Sequence, residues 1–596
     1  MLTVMLFVFL LIVAPTYAIS KSLRRTKFAA ILAIVIGLMT TFWIQPILGF
    51  WFYQSWFWVF LFFGIGVVLG ATKQVKEGKM GERAEIPVEQ EELSKGWRIH
   101  RLWLMSPLSI IAILLFLAPL TSMECMHAKA YHNLIGEIKV ASTSDMPMAN
   151  IKNIRLTARE TALAFAKLAL GHNEGEDVLS AQLQIDENSG AIQEVNGQLW
   201  WIFPLDFRGF WSWWQRGTIP GYVRVSAQDP LLGAELVTKD ADGKQLKIKY
   251  TPRGWLKYWI DRKAYYKCPT MQREDRTFEV DEKWRPYYTY SLTKPEIGFS
   301  GYVTKGVIIA DAQTGKIEMT IDKIPDWVDR VRPIEQTWEQ VKWWGTYGEG
   351  WMNANLFSGN KVKIPTHKNG DMWFVRLGDE KYWYTGMTST NTKEDSIVGM
   401  MFVEARNPKG KAIYFPMQGS SEEGALKAVN AKLGANSSTW YAAQPIPYHI
   451  YGQPAFIIPV ISTEGYFQQV AIVNIDKVTK IVVEPNLTLA LQKYRQLLAQ
   501  GGNAIIPDET AGLETFGPAK VLRKSDTIFG GEKTYFLYIE GAPSKIFAST
   551  GMTDITRLVA LVNIDDMVTV KYVKTTEQQV AIEAISVVGL EGLQRR

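Results

Sequence analysis

The chain has 596 residues, 65 Lys and Arg against 59 Asp and Glu, two cysteines and as many as 22 tryptophans. A formal charge of +6 spread over that length, without a Lys/Arg block or an RNA-type aromatic signature, argues against nucleic acid as a partner. Cys125 and Cys268 alone exclude a disulfide-dense scaffold and leave open one bridge between them or two free thiols.

In chain order the first feature is apolar. Leu2 to Ile19, Phe28 to Phe50, Trp51 to Ala71 and Leu102 to Thr121 carry no formal charge, and each is long enough to cross a hydrocarbon core of roughly 30 Å. The second and third abut, which predicts a tight helical hairpin with Trp51, Trp56 and Trp58 as aromatic anchors at one interface. Lys21, Arg24, Arg25 and Lys27 follow the first stretch, and Lys73, Lys76, Lys79, Arg83, Lys95, Arg98 and Arg101 precede the fourth. Basic loops stay cytoplasmic, so the expected arrangement is multi-pass in the cytoplasmic (inner) membrane, with everything after about Ser122 extracytoplasmic. The rival reading, a cleaved signal peptide over Met1 to Ala18, would strand the 21–27 loop outside and put the large domain in the cytoplasm; that segment lacks a basic n-region. The spans hold amides such as Gln45 and Gln54 but no ionisable group, the pattern of an anchor rather than a pump.

After the spans, five segments repeat a strand, a polar turn and a second strand: Ile185 to Ile192, Ala310 to Ile317, Val403 to Ile413, Asn474 to Ile481 and Asn563 to Val570. Asp and Asn bond their own backbone two residues on and Gly accepts positive φ, so these turn residues suit tight reversals. Helix-like stretches lie between them. Thr157-Ala-Arg-Glu160 has a capping-box pattern, Ser420-Ser-Glu-Glu423 and Asn486 open further apolar-periodic runs, and Pro325 predicts a helix start carrying Trp327, Val331, Trp338 and Val341 to a core. The expected fold is α+β: an N-terminal transmembrane helical bundle (1–121), then tandem small helix-plus-antiparallel-sheet units over 122–324 with a Trp-rich insertion, 325–485 and 486–596.

Val307-Ile-Ile-Ala-Asp311-Ala-Gln-Thr314-Gly315-Lys316-Ile317 resembles the closing hairpin of the PepSY module of bacterial envelope proteins. The wider stretch from about Tyr250 to Leu498, with Tyr250-Thr-Pro252, Trp327-Val-Asp-Arg330, Gly350-Trp351 and Tyr382-Trp-Tyr-Thr-Gly386-Met-Thr-Ser389, is similar to uncharacterised membrane-anchored proteins of bacterial and large-phage genomes. The first and last of the five segments lack the full Thr-Gly-Lys signature. The resemblance implies extracytoplasmic binding, peptidase inhibition or regulation, with no catalytic residues to carry over.

Trp200, Trp201 and Phe203, then Phe207-Arg208-Gly-Phe210-Trp211-Ser-Trp213-Trp214-Gln-Arg216, form the most unusual local feature. Indole is apolar with one N–H to satisfy, so Trp201, Phe210, Trp211, Trp213 and Trp214 are candidates for membrane-interface or ligand contact, with internal packing and glycan stacking as alternatives. Cys125, His127 and His132 are conceivable zinc donors, but their spacing supplies no fourth ligand and no metal is expected. With six histidines, no His-Glu-x-x-His, no Gly-x-Ser-x-Gly elbow and no P-loop, there is no catalytic residue or cofactor to name. Asp311, Glu404, Asp476 and Asp565 recur in equivalent turns and read as hairpin geometry.

These features point to a non-enzymatic, membrane-anchored binding or regulatory protein of the cell envelope, whose partners are the lipid bilayer and an envelope protein, peptide or wall component. An envelope hydrolase using the Trp cluster as a substrate platform would need carboxylates, or a Ser or Cys with a base, converging beside those rings. A structural subunit of a membrane assembly would need an exposed apolar patch.

Overall fold

The computed structural model describes residues 2–71, 116–171, 179–321, 323–357, 361–367, 370–390, 395–408, 410–500, 513–529, 532–550, 554–573 and 578–590. The basic loop expected before the fourth apolar stretch, and most of that stretch, lie outside the described residues. Helices α1 (Leu2–Ser20), α2 (Leu23–Met39) and α3 (Tyr53–Ala71) pack through Val8, Ile12, Ala29, Ala33 and Phe62. Gly66 permits α3 to cross α1 closely: a Cβ there would stand 2.5 Å from the Ile12 carbonyl oxygen. A π-helical turn, Thr40–Ile44, prolongs α2. Leu23–Ile44 and Tyr53–Gly70 are long and apolar enough to cross a membrane, whereas Val4–Ser20 is shorter. The second stretch was expected to run to Phe50, but the helix stops at Ile44, and Gln45 takes a left-handed φ of 50°. Pro46 explains this, since the residue before a proline is driven out of the α region.

The fold as a whole is mixed, 34% helix and 36% strand, and beyond the bundle helices alternate with sheets. Among the described strands, Ile138–Val140 with Ala412–Ser420 and Ile546–Thr550 with Gln579–Ala581 pair in parallel and the rest antiparallel, which is an α+β arrangement. Four times a helix leads into an up-and-down sheet. Arg159–Gly171 precedes the first sheet (Leu183–Ile185, Ala191–Val195, Gln198–Phe207, Tyr222–Ser226, Ala234–Val237), and Ile260–Lys267 the second (Gln272–Val280, Pro286–Ile297, Ser300–Asp311, Ile317–Thr320). Ile334–Tyr347 precedes the third (Ile364–Pro365, Trp373–Leu377, Glu380–Thr388, Ser396–Glu404, Ala412–Ser420), and Glu422–Leu433 the fourth (Trp440–Ala442, Ile446–Ile450, Gln453–Ser462, Phe467–Asn474, Ile481–Glu484). Leu487–Gln500 then leads into a six-stranded fifth sheet between Leu513 and Val587.

Gln453–Ser462 shows how the sheets are covered. Phe456, Ile458 and Val460 face Ala425, Val429 and Leu433 of one helix; Ala455 and Ile457 alternate to the other face, against Ala490, Leu491 and Tyr494 of the next. A strand covered on both faces is apolar almost throughout. The largest apolar cluster runs unbroken from Phe203 through Tyr288 to Trp383 and Met401, so three sheets share one core and that core crosses residues 324 and 325.

Three of the five expected hairpins form, pairing Ala310 with Ile317, Val403 with Ala412 and Val473 with Ile481. In the first, Asp311 Oδ1 accepts the N–H groups of Gln313 and Thr314 at 2.8 and 3.0 Å. Gly315, at φ +69°, faces the Tyr250 ring so closely that a Cβ would stand 2.4 Å from it. The other two expectations are corrected. Leu183–Ile185 and Ala191–Val195 both pair with Gln198–Phe207, so the turn between them is an insertion within one strand position, tied by Ser189 Oγ donating to Asp186 Oδ2 at 2.6 Å. The segment from Asn563 joins helix Asp554–Leu561 to strand Met567–Val573. Helix starts also move. Thr157 does not cap: its Oγ1 is buried without a hydrogen-bond partner, its carbonyl accepts from the Trp201 indole at 2.9 Å, and the helix begins at Arg159. The helix expected at Pro325 starts at Ile334, after Pro333, a residue a helix interior does not tolerate. Ser421 rather than Ser420 caps the next, accepting the Gly424 N–H at 3.1 Å, and Asn486 accepts that of Leu489 at 2.9 Å.

Candidate membrane-docking face

The tryptophan run divides by position in its elements. Trp201, on a central strand, is buried: it stacks on Phe203 with centroids 6.2 Å apart, and the Arg155 guanidinium lies 4.9 Å from its ring. Trp213 is buried as well. The expectation that these two contact lipid or ligand is therefore corrected; both are core, because the sheet covers one and the inner side of helix Phe210–Arg216 carries the other. Trp211 and Trp214 point the other way, 72% and 65% exposed. Half-buried Phe210 joins them to Trp255, ring centroids 5.1 Å apart. Trp255 and Leu256, 41% and 57% exposed, extend this apolar edge. Neither was singled out from sequence, although the aromatic and basic run from Arg253 to Lys267 carried the signal.

The same edge continues onto the helical bundle. Helix Ile260–Lys267 follows directly, with the Arg262 guanidinium 3.9 Å from the Phe42 ring centroid and 5.3 Å from that of Trp259. The Tyr265 hydroxyl donates to the Pro46 carbonyl at 2.8 Å, and the Leu48 N–H to the Pro269 carbonyl at 2.8 Å. The hairpin tip between Ile297 and Ser300 is pinned twice: the Phe299 ring meets Tyr53 at 6.4 Å, and its N–H donates to Ser122 Oγ at 2.8 Å. The bundle thus meets the domain through helix Ile260–Lys267 with the segment that follows it, and through the tip joining the two central strands of the second sheet. The basic 21–27 turn lies at the opposite end, where Arg25 Nη1 donates to the Gly70 carbonyl at 3.1 Å. Leu23–Ile44 holds 22 residues, about 33 Å of helix, which matches the thickness of a hydrocarbon core.

Arg262 is only 5% exposed, and its Nη1 has no hydrogen-bond partner. Burial lowers its pKa from the ordinary arginine value and does the same to Lys263. The one acid on that helix, Asp261, is engaged elsewhere, accepting from Arg276 Nη1 at 2.9 Å and from the Tyr290 hydroxyl at 2.7 Å.

The remaining candidates are committed to the fold. Asp206, buried behind the Trp run, accepts from Thr251 Oγ1 at 2.7 Å and from the N–H groups of Phe207 and Arg253 at 2.8 and 3.0 Å. Burial pushes its carboxyl up to about 6 despite those bonds. The possible Cys125–Cys268 disulfide is corrected, since both thiols are free. Cys125 is exposed on helix Glu124–Asn133, while Cys268 is packed into the core, so the two sulfurs do not face each other as a bridge requires. Glu124 holds helix Glu124–Asn133 against Ile334–Tyr347 by accepting from Trp343 Nε1 at 2.9 Å and from the Tyr347 hydroxyl. His132 braces the same pair through Nδ1, 2.8 Å from the Trp344 carbonyl.

No family model and no curated protein matches the chain. Among solved structures, a GH43 β-1,3-galactosidase with galactodeoxynojirimycin is similar over 53% of this chain and 80% of its own, at 12% identity and a TM-score of 0.16. At that score the likeness carries no argument about fold or activity.

Proposed function

We propose that the protein is a multi-pass, membrane-anchored and non-enzymatic binding or regulatory protein of the cell envelope, with its large domain on the extracytoplasmic face of the cytoplasmic membrane. The observation that carries this reading is the placement of two ends: the 41–53 turn and Ser122 meet the domain at Phe299 and helix Ile260–Lys267, while Lys21, Arg24, Arg25 and Lys27 lie a membrane thickness away. Positive charge marks the cytoplasmic end, so the domain takes the other. The four helix-then-meander units support a tandem PepSY-like architecture, for which the Asp311–Gly315 turn is the strongest mark. Such a scaffold offers sheet and helix surfaces to a protein, peptide or wall component.

Cys125 is a built-in reporter, exposed just after the last apolar stretch, whereas Cys268 is buried. In cells whose outer barrier has been opened, a membrane-impermeant maleimide should label the wild type and not Cys125→Ser. Labelling only after the membrane is lysed would put the domain in the cytoplasm.

A further inference from the structure

Residues 253–267 contain Arg253, Lys257, Arg262, Lys263 and Lys267 against one acid, Asp261, whose carboxylate is already taken by Arg276 and Tyr290. Their positive charge is thus unbalanced within the segment. The segment carries the exposed side chains of Trp255 and Leu256, and Phe210 links it to those of Trp211 and Trp214. Bulky apolar groups with basic neighbours at a membrane surface are what an anionic leaflet attracts: the rings partition into the interface while the cations meet headgroup phosphates. Arg262 adds a built element. It is nine-tenths buried where helix Ile260–Lys267 meets the π-helical turn of the second apolar helix, and its Nη1 lacks any acceptor. A buried guanidinium edge without an acceptor is costly unless an anion completes it.

We propose that the edge formed by residues 208–216 and 253–267 binds the headgroups of anionic phospholipid in the leaflet on which the domain rests, with Arg262 as the deepest phosphate contact and Trp211, Trp214 and Trp255 seated among the headgroups. This rests on the reading that the domain is anchored to a membrane, though not on which side of it. Lys257 and Lys263 contribute long-range attraction, and Arg262 contributes a directional bond that retains individual lipid molecules.

The test uses the purified full chain reconstituted in nanodiscs of phosphatidylcholine alone or of phosphatidylcholine with a minority of phosphatidylglycerol. Hydrogen exchange across 208–216 and 253–267 should be slower with phosphatidylglycerol, and added salt should erase part of the difference. Phosphatidylglycerol should also be retained in native mass spectra of the wild type and depleted in Arg262→Gln. The double variant Lys257→Gln/Lys263→Gln, which removes one exposed and one half-buried charge and keeps Arg262, should weaken phosphatidylglycerol preference by about fivefold per charge removed. Slow exchange that is equal in both lipids and unchanged in the variants would reject the headgroup site while leaving membrane docking standing. Exchange at Trp211 to Trp214 and at Trp255 to Leu256 as fast in both nanodiscs as in detergent would reject the docking face itself. Neither outcome alters the cysteine-labelling result, so failure here is distinguishable from failure of the topology.

Discussion

Lys381→Met should destabilise the domain more than any exposed charge change. Lys381 Nζ lies 2.6 Å from Asp329 Oδ1 and 3.6 Å from Glu194 Oε2, and Asp329 is fully buried. The cluster joins three sheets: Glu194 comes from the first, whose backbone N–H donates to Asp329 Oδ2 at 2.8 Å; Glu279 comes from the second, accepting the Asp329 N–H at 2.9 Å; Lys381 comes from the third. Burial raises the Asp329 carboxyl pKa and Lys381 opposes that rise. Removing one partner of a buried pair costs about 3–5 kcal/mol, because the other charge is left uncompensated. At roughly 2–4 °C per kcal/mol for a unit of a few hundred residues, a loss near the lower figure is a Tm drop of about 6–12 °C. Thermal unfolding of the full chain in nanodiscs, followed by tryptophan fluorescence, measures it.

Asp329→Asn/Lys381→Met should recover part of the loss, since the fully buried Asp329 carboxylate is no longer left uncompensated. The penalty of Lys381→Met alone should grow with pH. An acid whose folded pKa is raised keeps its stabilising protonated form only at low pH and loses that contribution as pH rises. A Tm for Lys381→Met equal to that of the wild type, or a double variant no better than the single, would refute the assignment of the cluster as an inter-sheet tie.

Burial first, and neighbouring Asp329 second, push the Glu279 carboxyl up to about 8. Between the ordinary glutamate value and that figure the folded state holds a proton the unfolded chain releases, so stability should decline as pH climbs toward 8, and Glu279→Gln should flatten that decline in Tm measured against pH. Trp201→Ala should cost about 3–5 kcal/mol as a buried aromatic truncation, further raised by the orphaned Thr157 carbonyl. Trp211→Ala/Trp214→Ala should leave the Tm of the detergent-solubilised chain near that of wild type, and an equal loss in the two variants would sink the division of the run into core and surface.

Local chemistry was readable in the linear chain wherever a few neighbours decide the outcome. The reversal at Asp311 to Gly315 needs only an Asx side chain, its own amides and a residue tolerant of positive φ. The caps at Ser421 and Asn486 were legible to within a residue for the same reason. Errors came where local signals competed with distant partners. Thr157 reads as a cap, yet its carbonyl serves Trp201 and the helix starts later. Pro325 reads as a helix opener, yet Val328 and Val331 pack with Val307 and Ile309 of the second sheet, and the chain turns helical only after Pro333. The strand at Ile185 and the one at Ala191 read as a hairpin, but both take the same partner strand. Strand pairing depends on which backbone edge is free, and a sequence window does not contain that.

By itself the amino-acid order determined the apolar helices at the N-terminus, the basic turn between the first two, and the repeated alternation of helix and strands, because hydrophobic run length, charge and periodicity are properties of contiguous residues. Only the tertiary structure decided which indoles are core and which form a surface, which carboxylates are locked in buried ties, and that Phe42 and Pro46 meet helix Ile260–Lys267 while Tyr53 and Ser122 meet the hairpin tip at Phe299. Those facts depend on what covers a side chain, and the covering residues come from sequence positions too distant for any local pattern to record.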